Sequence, residues 1–131
     1  MPRQTVRFRV GVPAAGLLVG IAGASAVLLG AFGAHALRDV LDPAHRELWR
    51  TAVEYHAWHA LALALAAALG AGRAGRCATV AFAFGIALFS GSLYALALGA
   101  PRWVGVVTPL GGIAFVAGWI ALGLALRPRG A

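Results

Sequence analysis

The chain alternates long apolar runs with short charged stretches. Val12 to Ala34, Cys77 to Gly99 and Trp103 to Leu126 contain no charged residue. Each is longer than the ~20 residues that cross a ~30 Å hydrocarbon core at ~1.5 Å per residue. A fourth run, Ala57 to Gly72, is also free of charge but shorter. It covers only ~24 Å, so it must draw in the preceding turn to span, which brings His59, and with it His56 and Glu54, to the headgroup level. Unpaired backbone N–H and C=O groups are not tolerated in lipid, so all four runs must be helices. The pattern predicts an all-α fold, an integral membrane four-helix up-down bundle. Its spans lie near residues 12–34, 55–72, 77–99 and 103–126 of a single transmembrane domain over residues 1–131.

The stretch between the first two runs has its own periodicity. Asp42-Pro43 reads as an N-cap followed by proline at the first helical position. Leu48, Trp49, Ala52, Val53 and His56 then fall on one helical face, and Arg46, Glu47, Arg50 and Glu54 on the other. This predicts a short amphipathic helix over residues 43–56, lying at the membrane interface and running into the second span.

Small residues indicate how the helices meet. Gly16, Gly20, Gly23, Gly30 and Ala34 share one narrow face of the first span. In lipid there is no hydrophobic drive between helices, so close approach over small residues supplies the packing, and Gly20 and Gly23 are expected to face another helix. Ala78, Ala81, Gly85, Ser92, Ala95 and Gly99 repeat the device in the third span. In the fourth, Thr108-Pro109 and Gly111-Gly112 predict a kink. Such faces serve either the core of one chain or a homo-oligomer or larger membrane complex.

Composition confirms the class. Of 131 residues, 61% are hydrophobic and 11% charged, against about a quarter charged in soluble domains; the mean hydropathy is +0.84. The net charge of +7 comes from eleven arginines. They sit at span ends, where they anchor to anionic headgroups of the lipid bilayer, so the basic balance implies no nucleic-acid partner. Arg3, Arg7, Arg9, Arg73, Arg76, Arg127 and Arg129 fall on one side of a four-span chain, and Arg38, Arg46, Arg50 and Arg102 on the other. The positive-inside rule then places the N- and C-termini in the cytoplasm of a multi-pass cell inner membrane protein. Arg3, Arg7 and Arg9 ahead of an apolar run also suggest a signal peptide. The run is longer than the ~7–15 residues of a signal h-region, so it is read as a retained helix. The single Cys77 excludes an intrachain disulfide or a multi-cysteine metal site.

In an up-down bundle the unusual polar residues converge. His35 closes the first span, His56 and His59 open the second, Ser90, Ser92 and Tyr94 lie late in the third, and Thr108 early in the fourth. With Glu54 and Tyr55 they form a candidate polar cluster in the outer leaflet. His35 and His59 are expected within hydrogen-bonding or single-water reach of Tyr55, Tyr94, Ser90, Ser92 or Glu54. Intramembrane polar groups often mark function, yet they also stitch helices together at ~0.6 kcal/mol per contact, and stitching is the favoured reading. Specific chemistries fare poorly. His35, Glu54, His56 and His59 suit a transition metal by type, but a three-residue helical spacing is not a chelating one, and no facing pair of haem ligands is visible. No acid lies within a span for proton-coupled transport. Ser90 or Ser92 with His59 lacks a nucleophile elbow, and there is no phosphate loop or dinucleotide fingerprint. No catalytic residue, metal or cofactor is assigned.

Four segments nonetheless resemble a known family. Gly30-Ala31-Phe32-Gly33-Ala34-His35 is similar to its GAFGAH signature, and Glu54-Tyr55 with His59 to its EYxxxH element. Phe89-Ser90-Gly91-Ser92-Leu93-Tyr94 with Leu96-Ala97-Leu98 resembles FSGSLYxLAL, and Thr108-Pro109-Leu110-Gly111-Gly112 with Gly118-Trp119 resembles TPxGG…GW. These are signatures of the YgdD-like (YwdK-like) small membrane proteins, a domain of unknown function. The resemblance implies a four-helix inner-membrane protein without an established activity, substrate or catalytic residue. The chain itself is read as a structural, accessory or assembly component. A binding module or small carrier with a polar His/Ser/Tyr pocket is the alternative. At His56 the chain departs from a relative that carries glutamine there.

Overall fold

A computed structural model describes residues 14–128 and residue 130. Arg3, Arg7, Arg9 and Arg129, and the start of the first span at residue 12, lie outside the described residues. Within them the chain is helical throughout, without a strand. The helices are α1 (Ala15–His35), α2 (Pro43–Leu69), α3 (Gly72–Gly85), α4 (Gly91–Ala97) and α5 (Val107–Ala125). A π-helical turn, Ile86–Ser90, joins α3 to α4, and a 3₁₀ turn, Arg102–Val106, leads into α5. Among the described residues four helical stretches are long and apolar enough to cross a membrane: Ala15–His35, Pro43–Leu69, Gly72–Ala97 and Arg102–Ala125.

The local chemistry of α2 explains its start. Asp42 Oδ1 accepts from the His45 backbone N–H at 3.0 Å, and Pro43 occupies the first helical position, where no N–H is required. Residues 43–56 are therefore the first half of one helix that runs unbroken to Leu69 rather than an element of their own. That helix is ~40 Å long, so one end stands out of a ~30 Å core. The backbone bond from His45, helped by its ring at 2.7 Å, holds the Asp42 carboxyl below the ordinary aspartate value. A carboxyl depressed in the folded state stabilises above its ordinary titration range and loses that contribution as pH falls through the depressed value. Asp42→Ala should lower the melting temperature near neutral pH, and the difference from wild type should shrink as the pH of the melt falls below the ordinary aspartate range.

Glycines set the tightest corner. Between α2 and α3 only Gly70 and Ala71 intervene, and a side chain on Gly75 would lie on the Gly70 carbonyl group. Gly72 opens α3 at φ +65°, a conformation that disfavours any side chain. Arg73 and Arg76 thus belong to the first turns of α3 rather than to a loop. At the far end, Pro109 sits in the first turn of α5, where its missing N–H costs little, and α5 continues past Gly111-Gly112 to Ala125. The expected interruption of this span falls before Pro109, as the 3₁₀ turn.

The core is built on α2. Leu63 and Phe82 are fully buried, packed with Ala60, Ala62, Ala66, Ala78, Phe115 and Leu122. A second cluster joins Leu37 of the first loop to Trp49 of α2 and Ala97 of α4. The outward surface is apolar: Leu17, Ile21, Val27, Leu28, Leu61, Ile113, Val116 and Ile120 are among many large exposed hydrophobics. In water such a surface would aggregate; in a bilayer it is the lipid-facing side.

Candidate functional site

The polar side chains occur as separate ties between helices. His59 is buried on α2. Its Nδ1 lies 2.7 Å from the Tyr55 carbonyl oxygen, and its Nε2 3.2 Å from Trp119 Nε1 of α5. A carbonyl only accepts and an indole N–H only donates, so Nδ1 must carry the proton and Nε2 must be bare. The geometry holds His59 as one neutral tautomer with neither nitrogen free. The ring also stacks on Phe115, centroids 3.5 Å apart at 11°, within a group that includes Tyr55, Phe82 and Phe89.

His56 faces other neighbours. Its Nδ1 is 3.0 Å from Tyr94 Oη of α4, and its Nε2 3.2 Å from Ser25 Oγ of α1. Ser25 has one proton, which it gives to the Ile21 carbonyl at 2.6 Å, so it accepts from His56 Nε2–H. Tyr94 then donates to Nδ1. The result is a one-way chain, Tyr94 to His56 to Ser25 to the α1 backbone, with the opposite tautomer to that of His59. The spacing of His56 and His59 is what separates them: three residues turn α2 by less than a full circuit, so one ring meets α1 and α4 and the other meets α5.

Two further ties come from the π-turn region. Ser90, fully buried, donates to the Ala52 carbonyl of α2 at 2.8 Å. Ser92 donates to the Phe89 carbonyl at 2.9 Å and lies 2.6 Å from Thr108 Oγ1, which must donate to it in turn. A π-turn holds one more residue than an α-turn and re-phases the helix beyond it. Gly111 makes room for it: a side chain there would lie on the Phe89 backbone.

The candidate cluster is therefore split. Tyr55, His59, Ser90, Ser92, Tyr94 and Thr108 all take part in contacts between helices. The side-chain partner of His59 is Trp119, not Tyr94, Ser90, Ser92 or Glu54. His35 is exposed at the end of α1 and makes no side-chain hydrogen bond among the described residues. The reason lies in the same motif: Gly33, two residues earlier, is the position that turns toward α2 and receives the Trp49 indole, which donates to the Leu29 carbonyl at 3.0 Å. Glu54 is exposed too, paired with Arg50 at 3.4 Å. Among the described residues no three His, Cys, Asp or Glu side chains gather as a metal-ligand set. Sequence reasoning missed Ser25, Gly33, Gly118 and Trp119 as members of these contacts. For Gly33, Gly118 and Trp119 the signal was present in the GAFGAH and GW segments.

The glycine positions divide as well. Side chains at Gly85, Gly111 and Gly118 would strike Phe115, Phe89 and Phe82, and Gly30 and Gly112 lie in ordinary contact range of Val53 and Phe89. Gly16, Gly20 and Gly23 have open space where a side chain would be. The face α1 turns to its own chain is instead marked by Ala15, Ala22 and Ala26, about a third of a turn away.

These features define a small polytopic α-helical membrane protein whose intramembrane polar groups bind one another. The chain belongs to the family described as "Protein of unknown function (DUF423)", whose match spans residues 29–112. It is 44% identical over 102 residues to the UPF0382 membrane protein YwdK of Bacillus subtilis, covering 74% of this chain and 82% of that one. To a UPF0382 membrane protein of Haemophilus influenzae it is 43% identical over 108 residues, 80% and 86% of the two chains. To the UPF0382 inner membrane protein YgdD of Escherichia coli K12 it is 41% identical over 107 residues, 79% and 81%. No solved structure gives a significant match.

Proposed function

We propose that the protein is a structural or accessory component of the inner membrane, an up-down four-helix bundle that acts through its surface rather than through a reaction site. The observation that carries this reading is saturation: among the described residues no buried side-chain nitrogen or oxygen lacks a hydrogen-bond partner. A reaction centre or carrier pocket keeps at least one polar group free for its ligand, and here the buried histidines already have both nitrogens engaged. The up-down order is supported by contacts at the two ends, Leu37 and Trp49 against Ala97 at one and Gly70 against Gly75 at the other. The arginine balance taken with this order supports termini in the cytoplasm, with the first turns of α2 at the outer headgroups. Alkaline phosphatase fused after Ala131 should be inactive there, and an active fusion would reverse the assignment.

The open Gly16, Gly20 and Gly23 face supports a homo-oligomer or a larger complex, since small residues let a second helix approach. Native mass spectrometry of protein gently extracted from its own membrane tests the role. A defined oligomer or a stoichiometric protein partner is expected, with Gly20→Leu releasing monomer. A monomer carrying a tightly bound metabolite, metal or cofactor would contradict the structural reading.

A further inference from the structure

The exposed residues of α2 form one stripe along its length, and the chemistry of that stripe changes partway. Trp58, Leu61, Leu65 and Leu69 are apolar, while Glu47, Arg50 and Glu54 continue the same face toward the first loop. From Glu54 to Leu69 is ~22 Å at ~1.5 Å per residue, well short of a ~30 Å hydrocarbon core. The corresponding stripe of α5 is longer. No charge interrupts Trp103 to Leu126, a length of ~35 Å with the more extended 3₁₀ turn at its start.

Contacts with the neighbouring helices fix the depth at which the charges begin. Gly30 of α1 meets Val53, and Ser90 donates to the Ala52 carbonyl. Gly30 lies five residues short of His35 at the end of α1, and Ser90 seven short of Ala97 at the end of α4. Glu54 therefore sits ~9 Å inward of one helix end and ~12 Å inward of the other. At that level α1 exposes only apolar Leu28, Ala31 and Phe32. The Glu54 carboxylate, 47% accessible, pairs with Arg50 at 3.4 Å. The two charges answer each other, so neither needs a counterion from a partner helix, and as an exposed pair they keep their hydration.

Trp58, one turn deeper, points to the same level. It is 58% exposed, and among the described residues its indole N–H has no hydrogen-bond partner, whereas Trp49 and Trp119 give theirs to Leu29 and His59. A free donor is costly in hydrocarbon but at home at the headgroup boundary, where indoles concentrate. An ion pair and an unpartnered indole thus set the membrane boundary on this face near Trp58, well inside the end of α1.

We propose that this face of α2 thins the leaflet on the first-loop side, drawing its headgroups and water inward by ~8 Å to meet Arg50, Glu54 and Trp58. The partner of the surface is the lipid headgroup layer itself. Along α5 the bilayer meets an apolar span of full length and keeps its thickness, so the deformation is one-sided. Arg50 can reach outward along its flexible stem, but the shorter Glu54 cannot, and the bilayer yields to it.

Depth measurement by electron paramagnetic resonance tests this, with nitroxide labels on the full chain in dioleoyl-phosphatidylcholine bilayers. The native thiol, the exposed Cys77, is first removed as Cys77→Ala. Labels are then placed one at a time through Trp58→Cys, Val116→Cys and Leu69→Cys, all exposed positions. The stacking of Phe115 on His59 sets Val116 and Trp58 at one level, so a flat bilayer around an upright bundle gives these two labels equal depth. The label at 58 should instead read ~8 Å shallower than the label at 116, from its collisions with a water-soluble nickel chelate against those with oxygen. Arg50→Leu combined with Glu54→Leu, both at exposed positions, should bring these two labels to the same depth and leave the label at 69 unmoved. Equal depths at 58 and 116 with the charged pair present would overturn the proposal. So would a label at 69 that lies deeper with the pair than without it, by as much as the label at 58 lies shallower, because the bundle then tilts in a flat bilayer. A label at 58 shielded from both nickel and oxygen would overturn it too, since protein rather than lipid then covers the face.

Discussion

Alanine at Gly111 is expected to cost about 3 kcal/mol of stability in a detergent that disperses the protein to monomers, the upper part of the usual range for overpacking, whereas alanine at Gly20 should cost nothing in that monomer. A methyl group on Gly111 would lie on the backbone of Phe89, inside the π-turn that joins α3 to α4. Backbone cannot rotate aside as a side chain can, so α5 or the π-turn must move. Movement there also stretches the Ser92–Thr108 bond of 2.6 Å and loosens the ring of Phe115 on His59. At Gly20 the same methyl meets nothing within 4 Å, and the helix gains by about 0.5–1 kcal/mol from the lost flexibility of glycine. Melts of the two variants in one detergent compare them directly. Equal losses would mean that α1 packs through Gly20 and that α5 does not press on the π-turn at Gly111.

The second large effect belongs to the His59–Trp119 pair. Trp119→Phe keeps an aromatic ring but removes the N–H, leaving the bare Nε2 of His59 buried beside Phe115 and Phe82 with no donor. An acceptor stranded in that way costs about 1–3 kcal/mol. His59→Leu strands no acceptor on α2, but it gives up the stacking on Phe115, with a similar loss expected. The double variant should be less destabilised than the sum of the two, by roughly 0.6–1.7 kcal/mol, the range of interhelical hydrogen bonds in a membrane protein. Additive losses would mean that the two rings are neighbours without a bond.

Which parts of this arrangement can be read from the chain depends on the range over which each signal acts. Hydropathy is a local sum, so the long uncharged runs announce spanning helices directly, and Asp42-Pro43 announces the start of α2 because a cap involves residues only three apart. Partners across helices are another matter. Trp119 and His59 are 60 positions apart, and nothing in either segment says which faces will meet. The glycine stripe of α1 illustrates the difficulty. Gly16, Gly20, Gly23 and Gly30 share a face as periodicity says, yet α2 lies mainly against the alanine face beside it, reaching the stripe only near Gly30. The π-turn was equally hidden, since Ile86–Ser90 is an ordinary apolar segment whose extra residue is imposed by packing on Gly111 and Ala52. His35 was singled out for its place at a span end, but the end of a helix says little about which way its last turn points.

The intramembrane histidines are ties whose protons are fixed by their neighbours, and one measurement addresses this directly. Nitrogen-15 spectra of histidine-labelled protein in lipid bilayers, assigned with His56→Gln and His59→Gln variants, report which ring nitrogen carries the proton. Two neutral rings of opposite tautomer are expected, His59 protonated on Nδ1 toward the Tyr55 carbonyl and His56 protonated on Nε2 toward Ser25. A doubly protonated ring at either position, or a proton on Nε2 of His59, would contradict the fixed-proton ties, because neither state leaves the lone pair that receives the Trp119 N–H or the Tyr94 hydroxyl.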